Sequence, residues 1–383
     1  MQVTRLVLKN WRNFKAFDAR FQDVSYLLGP NASGKSNLLD VFRFLRDISK
    51  PKGGGLQSAV DDRGGIVKVR CLHARNDTEV LIDVRLSDDG DEGEESWRYV
   101  LGFKPEGKGA QRILVSREEV WEGEQRIINR PDDDGARDRA LLTQTRLEQI
   151  AANARFRKLA EFFGNITYLH LVPQLLKFSE QIGGNRLEND PFGQGFLDRI
   201  ARTSEKTRDA RLRKIGKALS LAVPHFRDLR FVRDEVGRPH LEAMYQHHRP
   251  KAGWQTEEQF SDGTLRLIGI LWSLLEGSSM LLMEEPEISL NNEVVRQIPV
   301  IIDRLQRGRK QRQVVISTHS EAMLDNKGID GRGVILLVPE SEGSGARGLT
   351  DDELQMLVDG FSVAETILPM TRPQRVEQLG LWK

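Results

Sequence analysis

Apolar and polar positions alternate along residues 2–9 and again along 17–28, around a polar turn at 10–13. That period of two is the mark of a half-buried strand, whose successive side chains point to opposite faces. A glycine-rich loop follows, and from 36 to 48 the apolar residues recur at helical spacing. Residues 51–65 are polar and glycine-rich and predict a loop, after which strand patterns return at 66–74, 79–86, 96–103 and 111–121. The acidic stretches at 87–95 and 131–138 read as breaks between elements. Residues 139–163 predict helix, 166–172 a buried strand, 179–195 a polar loop and 196–222 one long helix. The segment 229–245 predicts two strands about a Gly-Arg-Pro turn. The last third predicts helix 263–276, strand 279–284, helix 291–307, strand 312–317 and strand 333–338. Strands alternating with helices predict a parallel sheet with crossover helices. The expected architecture is therefore an α/β core with a mixed sheet. It is assembled from residues 1–125 and 226–383, with a largely helical insertion over 126–225.

Composition narrows this picture without changing it. Hydrophobic residues make up 39% of the chain and charged residues 30%, which suits a chain with a sizeable core. The net charge of +1 gives no bulk attraction to nucleic acid, so any such contact needs a local basic face. A lone cysteine, Cys71, excludes an internal disulfide and fits a reducing cytoplasm. No apolar run approaches the roughly 20 residues that span a bilayer, and the opening residues lack the apolar segment of a signal peptide. A cytoplasmic protein without a membrane segment is expected.

Chemistry enters with the loop Gly29, Pro30, Asn31, Ala32, Ser33, Gly34, Lys35, Ser36, which fits G-x-x-x-x-G-K-[ST] at every fixed position, with Asn37 following. Glycines let the backbone wrap an anion so that successive N–H groups point at phosphate oxygens, and the next helix presents its positive end to the same charge. Lys35 is placed to reach the β- and γ-phosphates of a nucleotide and Ser36 to ligate Mg²⁺. A second feature is the apolar strand that ends in Glu284 and Glu285. One carboxylate can hold the metal shell and the next can polarise an attacking water, although acids before Pro286 also suit a helix start. His319 follows another apolar strand and can reach a γ-phosphate or serve structure alone. Ser261, Asp262 and Gly263 open a helix, either as a second anion site or as an ordinary N-cap.

The order of these four pieces resembles the ABC ATPase family, in its RecF/SMC-like branch and among the ATPase domains of OLD-family nucleases. The opening LVLKNWRNF also resembles the first strand and turn of RecF-like proteins. The resemblance implies ATP and Mg²⁺ as ligands, with residues 29–36 as Walker A and Glu284 as a metal ligand beside Ser36. It further implies Glu285 as general base, His319 as the switch histidine, and Ser289, Leu290 and Asn291 at the D-loop. Ser261, Asp262 and Gly263 would be the signature that covers the ATP site of a second copy, so that ATP closes a head-to-tail dimer. Two departures stand out: Walker B ends Glu-Glu where the family has Asp-Glu, and the signature reads FSDGT. Gln57 is the candidate for the Q-loop glutamine.

For partners, Arg199, Arg202, Lys206, Arg213 and Lys217 would share one side of the helix at 196–222, a face able to track a DNA backbone or simply a solvated surface. His240, His247 and His248 lack neighbouring ligands and predict no metal centre. Too few residues follow His319 for a nuclease domain of the OLD type, so the expected role is a DNA-associated switch in repair or anti-phage defence that gates a separate effector such as a nuclease. A transporter ATPase subunit and a non-hydrolysing ATP-sensing scaffold remain the alternatives.

Overall fold

The computed structural model describes residues 1–74, 77–88, 95–107, 112–178, 193–246, 253–277, 279–307, 312–372 and 378. Most of the loop expected at 179–195, and the pair His247 and His248, lie outside those residues. In chain order the strands are β1 (Gln2–Trp11), β2 (Phe14–Arg20), β3 (Val24–Leu28), β4 (Val80–Ser87), β5 (Trp97–Pro105), β6 (Ile113–Glu122), β7 (Gln125–Arg130), β8 (Thr167–Leu169), β9 (Phe226–Arg233), β10 (Pro239–Tyr245), β11 (Trp254–Thr256), β12 (Leu281–Glu284), β13 (Val314–Ser317), β14 (Val334–Glu340) and β15 (Gly343–Arg347). The helices that matter here are α1 (Lys35–Ser49), α2 (Leu56–Asp61), α3 (Arg157–Gly164), α4 (Pro173–Lys177), α5 (Phe196–Arg202), α6 (Glu205–Ala222), α7 (Asp262–Leu275) and α8 (Ile298–Gln306).

Three sheets organise the chain. An antiparallel sheet runs β2-β1-β4-β5-β6-β7, a small one runs β11-β10-β9, and the third runs β15-β14-β3-β13-β12-β8. Within the third, β14, β3, β13, β12 and β8 are parallel and only β15 is antiparallel. Strands β3, β12 and β13 and the first half of β14 are short, mostly apolar runs because both faces are covered there. Leu27, Leu282, Val315 and Ile335 face one core together with the antiparallel sheet and α1. Their neighbours Tyr26, Leu281, Ile316 and Leu336 face a second core with α7 and α8. Helix α1 is apolar around most of its circumference, with Leu38, Leu39, Val41, Phe42, Phe44, Leu45 and Ile48 all buried, as a helix held between two sheets must be. Each such side chain contributes about 1.5–3 kcal/mol by leaving water.

The α/β class with a mixed sheet is as expected from sequence, and four local expectations are corrected. The strand expected at 66–74 is a short helix, Ile66–Val69, because Gly64 and Gly65 take positive φ and turn the chain. The helix expected over 139–163 is mostly tight turns, with only α3 regular. That expected at 291–307 divides into Asn292–Val295 and α8, where Pro299 can sit only in the first turn. The long helix expected at 196–222 breaks between Arg202 and Glu205: Thr203 turns extended and bonds the Arg199 carbonyl through its hydroxyl, and Ser204 restarts the chain as α6. The stretch 126–225 also contributes to the core. Its strand β8 edges the parallel sheet against β12, and Leu159, Phe162 and Phe163 of α3 belong to the same apolar cluster as α1.

Candidate nucleotide site

Strand β3 ends at Leu28, and the phosphate loop turns from it into α1. Gly29 has φ 151°, Ala32 63° and Gly34 103°, the left-handed conformations that a tight anion-binding loop requires. At Gly29 a Cβ would fall 2.7 Å from the Leu337 carbonyl oxygen, so the position has no room for a side chain. Lys35 is buried and its Nζ donates to the carbonyls of Gly29 (2.9 Å) and Pro30 (3.1 Å). Burial lowers its pKa to about 8, against the pull of Glu285, Glu284 and Glu287. The Ser33 hydroxyl is buried without a hydrogen-bond partner among the described residues. A loop with an orphan hydroxyl and an ammonium bonded only to the loop's own carbonyls is fitted to a phosphate.

The loop is held from the first turn of the chain. Asn13 donates through Nδ2 to the Ser33 carbonyl (3.0 Å) and to the Ser344 hydroxyl (2.9 Å), and its Oδ1 accepts from Asn37 Nδ2 (2.8 Å). Trp11 donates its indole N–H to the Asn37 carbonyl (2.8 Å). Arg12 and Arg63 both grip the buried carboxylate of Asp40 on α1.

Opposite the loop, the parallel pairing of β12 with β13 sets Glu284 beside Ser317. The Ser36 hydroxyl donates to Glu284 Oε1 and the Tyr168 phenol donates to Glu284 Oε2. Ser36 and Glu284 together make an oxygen donor set of the kind Mg²⁺ prefers, so the Glu-for-Asp change at 284 leaves the carboxylate in reach of Ser36. Glu285 has φ 42°, a left-handed conformation uncommon for a residue other than glycine, and its N–H donates to the Ser317 carbonyl (3.0 Å). Its Oε1 lies 3.3 Å from His319 Nε2. Burial and then the Lys35 charge lower the His319 pKa, and Glu285 opposes them. Glu287 ties the two strand ends together: its Oε1 accepts from the Thr318 hydroxyl (2.6 Å) and the His319 N–H (3.1 Å), and burial raises its pKa.

The signature residues stand apart from this cluster. Ser261 caps α7 by accepting from Thr264 N–H (3.1 Å). Asp262 is paired with Lys177 (2.7 Å) and bonded by Gln174 (2.6 Å), both on α4. A Cβ on Gly263 would lie 2.5 Å from the Ser289 carbonyl, which puts the signature against the expected D-loop. No hydrogen bond among the described residues joins these three to residues 29–37. Gln57 is corrected: it bonds main-chain groups of Ile113 and Thr143 and so fixes α2 to β6. The shared basic face is corrected as well, since the break at 203–204 puts Arg199 and Arg202 on α5 and the rest on α6. Arg199 pairs with Glu276 (3.2 Å). Arg202, Lys206, Arg213 and Lys217 are exposed. Sequence reasoning missed Tyr168, Glu287 and the anchoring role of Asn13. Glu287, third acid in the run Glu284-Glu285-Pro286-Glu287, carried a readable signal, whereas nothing near Tyr168 marked it.

A family model described as "AAA domain, putative AbiEii toxin, Type IV TA system" matches residues 24–325. The chain belongs to this family. The matched span of the AAA domain runs from β3 past His319. Its fold is similar to that of the "SmcHead bound to the C-winged helix domain of ScpA", at 15% identity and TM-score 0.53, covering 92% of this chain and 99% of that one. It is similar also to a "Smc head domain with an extended coiled coil bound to the C-terminal domain of ScpA derived from Pyrococcus furiosus", at 13% identity and TM-score 0.51, covering 93% and 98%. No curated protein matches the chain. Family and fold agree with the resemblance read from the motifs: this is an ATPase of the AAA type with an ABC/SMC-head architecture. Among the described residues no helix is long and apolar enough to cross a membrane.

Proposed function

We propose that this AAA domain binds and hydrolyses ATP at a composite site completed by a second copy, and uses that cycle as a switch. The observation that carries the reading is the junction of Ser36 with Glu284, which brings the phosphate loop to the carboxylate strand, with Glu285 and His319 in contact beside it. Lys35 and the loop amides would hold the phosphates, and Glu285 would take a proton from water while His319 faces the γ-phosphate. Ser36 and Glu284 would hold Mg²⁺, which neutralises phosphate charge when bound. Ser261 and Asp262 are bonded to Thr264 and to α4, not to the phosphate loop of their own chain, so a signature role for them would be toward a nucleotide on another copy.

The switch is proposed to act beside nucleic acid and through a separate protein. The exposed Lys206, Arg213 and Lys217, which keep a common helical phase on α6, offer a surface for a nucleic-acid backbone. The two SMC heads of similar fold are each bound to a part of ScpA, which supports a separate protein partner; that partner is proposed to be an effector such as a nuclease, in prokaryotic DNA repair or defence. The experiment is ATP hydrolysis across protein concentration, with and without duplex DNA. Turnover per molecule that rises with concentration supports the composite site, because association is then part of assembling it. A further rise with DNA supports the basic surface. Flat turnover, indifferent to DNA, would sink both.

A further inference from the structure

The carboxylate that faces Ser36 is a glutamate, with one more rotatable bond than the aspartate the ABC pattern leads one to expect. A longer side chain is harder to hold in one orientation, and a metal site depends on orientation. The structure supplies a restraint from a strand remote in sequence. β8 pairs with β12 in parallel register, Tyr168 opposite Leu282. Leu282 and Glu284 point to the same face of β12, so the ring of Tyr168 reaches the next side chain along that face. Its phenol donates to Glu284 Oε2, and Oε1 is left to Ser36. The ring itself is buried and clamped by the Arg43 guanidinium, 4.4 Å above its centroid, from the helix that begins with the phosphate loop.

We propose that Tyr168 is a positioning residue for the metal carboxylate: it occupies one oxygen of Glu284 so that the other is presented beside the Ser36 hydroxyl for Mg²⁺. This rests on the nucleotide-site reading above. Tyr168 is bonded to Glu284 and would act through that carboxylate. With aspartate at 284 the carboxylate would draw back by one methylene and the phenol would lose its partner, so tyrosine at 168 and glutamate at 284 work as a pair.

The test is binding of a fluorescent ADP analogue titrated with Mg²⁺, in the full chain and in Tyr168→Phe, Glu284→Asp and the double variant. Tyr168→Phe keeps the ring under Arg43 and removes only the hydroxyl. It is expected to raise the Mg²⁺ concentration for half-maximal effect by roughly 10–100-fold, the range for a lost partner of a metal ligand. In the Glu284→Asp background the same substitution is expected to add nothing, since the interaction is already gone. An unchanged Mg²⁺ requirement in Tyr168→Phe would overturn the proposal. So would an equal shift in both backgrounds, or an equal loss of binding with and without Mg²⁺, which would mark a general packing role. If the unsubstituted chain binds no nucleotide, the site reading fails and this inference with it. If it binds and only the Tyr168 dependence is absent, the inference alone fails.

Discussion

The two sides of the nucleotide site are built by different means. The phosphate-loop side is a backbone structure: three left-handed residues, a lysine folded back on loop carbonyls, and a helix start, braced by Asn13 and Trp11 from the first turn of the chain. The carboxylate side is a side-chain network, with Glu284 held by Ser36 and Tyr168, Glu285 against His319, and Glu287 bonded to the Thr318 hydroxyl and the His319 N–H. A backbone cradle is specified by adjacent residues. A side-chain network is specified by whichever strands the sheet brings together, and here the bonded partners lie 31, 116 and 248 residues apart in sequence. The first kind tolerates little substitution, and the second can exchange members if the exchanges are paired.

The comparison is broken most directly by substituting each side in turn. Lys35→Ala is expected to abolish measurable nucleotide binding, because a buried cation facing the phosphates is removed. Glu285→Gln is expected to keep binding and lose turnover by roughly 10²–10⁴-fold, the usual worth of a positioned base. Nucleotide affinity and phosphate release, measured on both variants, separate the two sides. If Glu285→Gln hydrolyses ATP at the unsubstituted rate, the base is elsewhere. If Lys35→Ala still binds, the loop is not the principal anchor.

Two smaller substitutions sharpen the contrast. Glu287→Ala strips the acceptor from the buried Thr318 hydroxyl and the His319 N–H, which should cost about 1–3 kcal/mol of stability for polar groups left unsatisfied. Turnover should fall more than affinity, since the loop that carries His319 is freed. Asn13→Ala removes three hydrogen bonds that brace the loop and should cost about 1–2 kcal/mol, with affinity falling more than turnover. Denaturant midpoints alongside kinetics decide both. Equal effects of the two variants on affinity and turnover would remove the distinction between the sides.

That division also governs what could be read beforehand. The phosphate loop was legible because its constraints are local: glycines for left-handed φ, lysine and serine at fixed offsets. The strands around it were legible from apolar runs. Gln57 misled because a glutamine after the first helix suits the family pattern, yet its amide matches the free main-chain groups of β6. The basic face over 199–217 misled because helical phase was carried across Thr203 and Ser204, residues whose short hydroxyls favour helix ends. Tyr168 could not have been found, since its role exists only through the β8–β12 register. Family resemblance supplied Glu285 and His319, and the geometry sets them in contact.

The smallest expected effect concerns the proton at the junction of the two sides. His319 feels Lys35 from the loop and Glu285 from the strand end, and burial and Lys35 together lower its pKa below the ordinary 6.5. The folded chain therefore binds fewer protons at this site than the unfolded chain just below that pH. By linkage, the contribution of His319 to stability is present above the unfolded pKa and is lost as pH falls through the lower folded one. Activity should follow the same window. Once protonated, the imidazolium 3.3 Å from Glu285 Oε1 would pair with that carboxylate and weaken it as a base. The profile of kcat/KM, which reports the free enzyme, should show an acid limb centred below 6.5, with loss of a few-fold over about one pH unit. Replacing His319 with glutamine should lower the rate and flatten that limb. A limb centred above 6.5 would mean that Glu285 outweighs Lys35 at this histidine, and that the carboxylate side, not the loop, sets its charge.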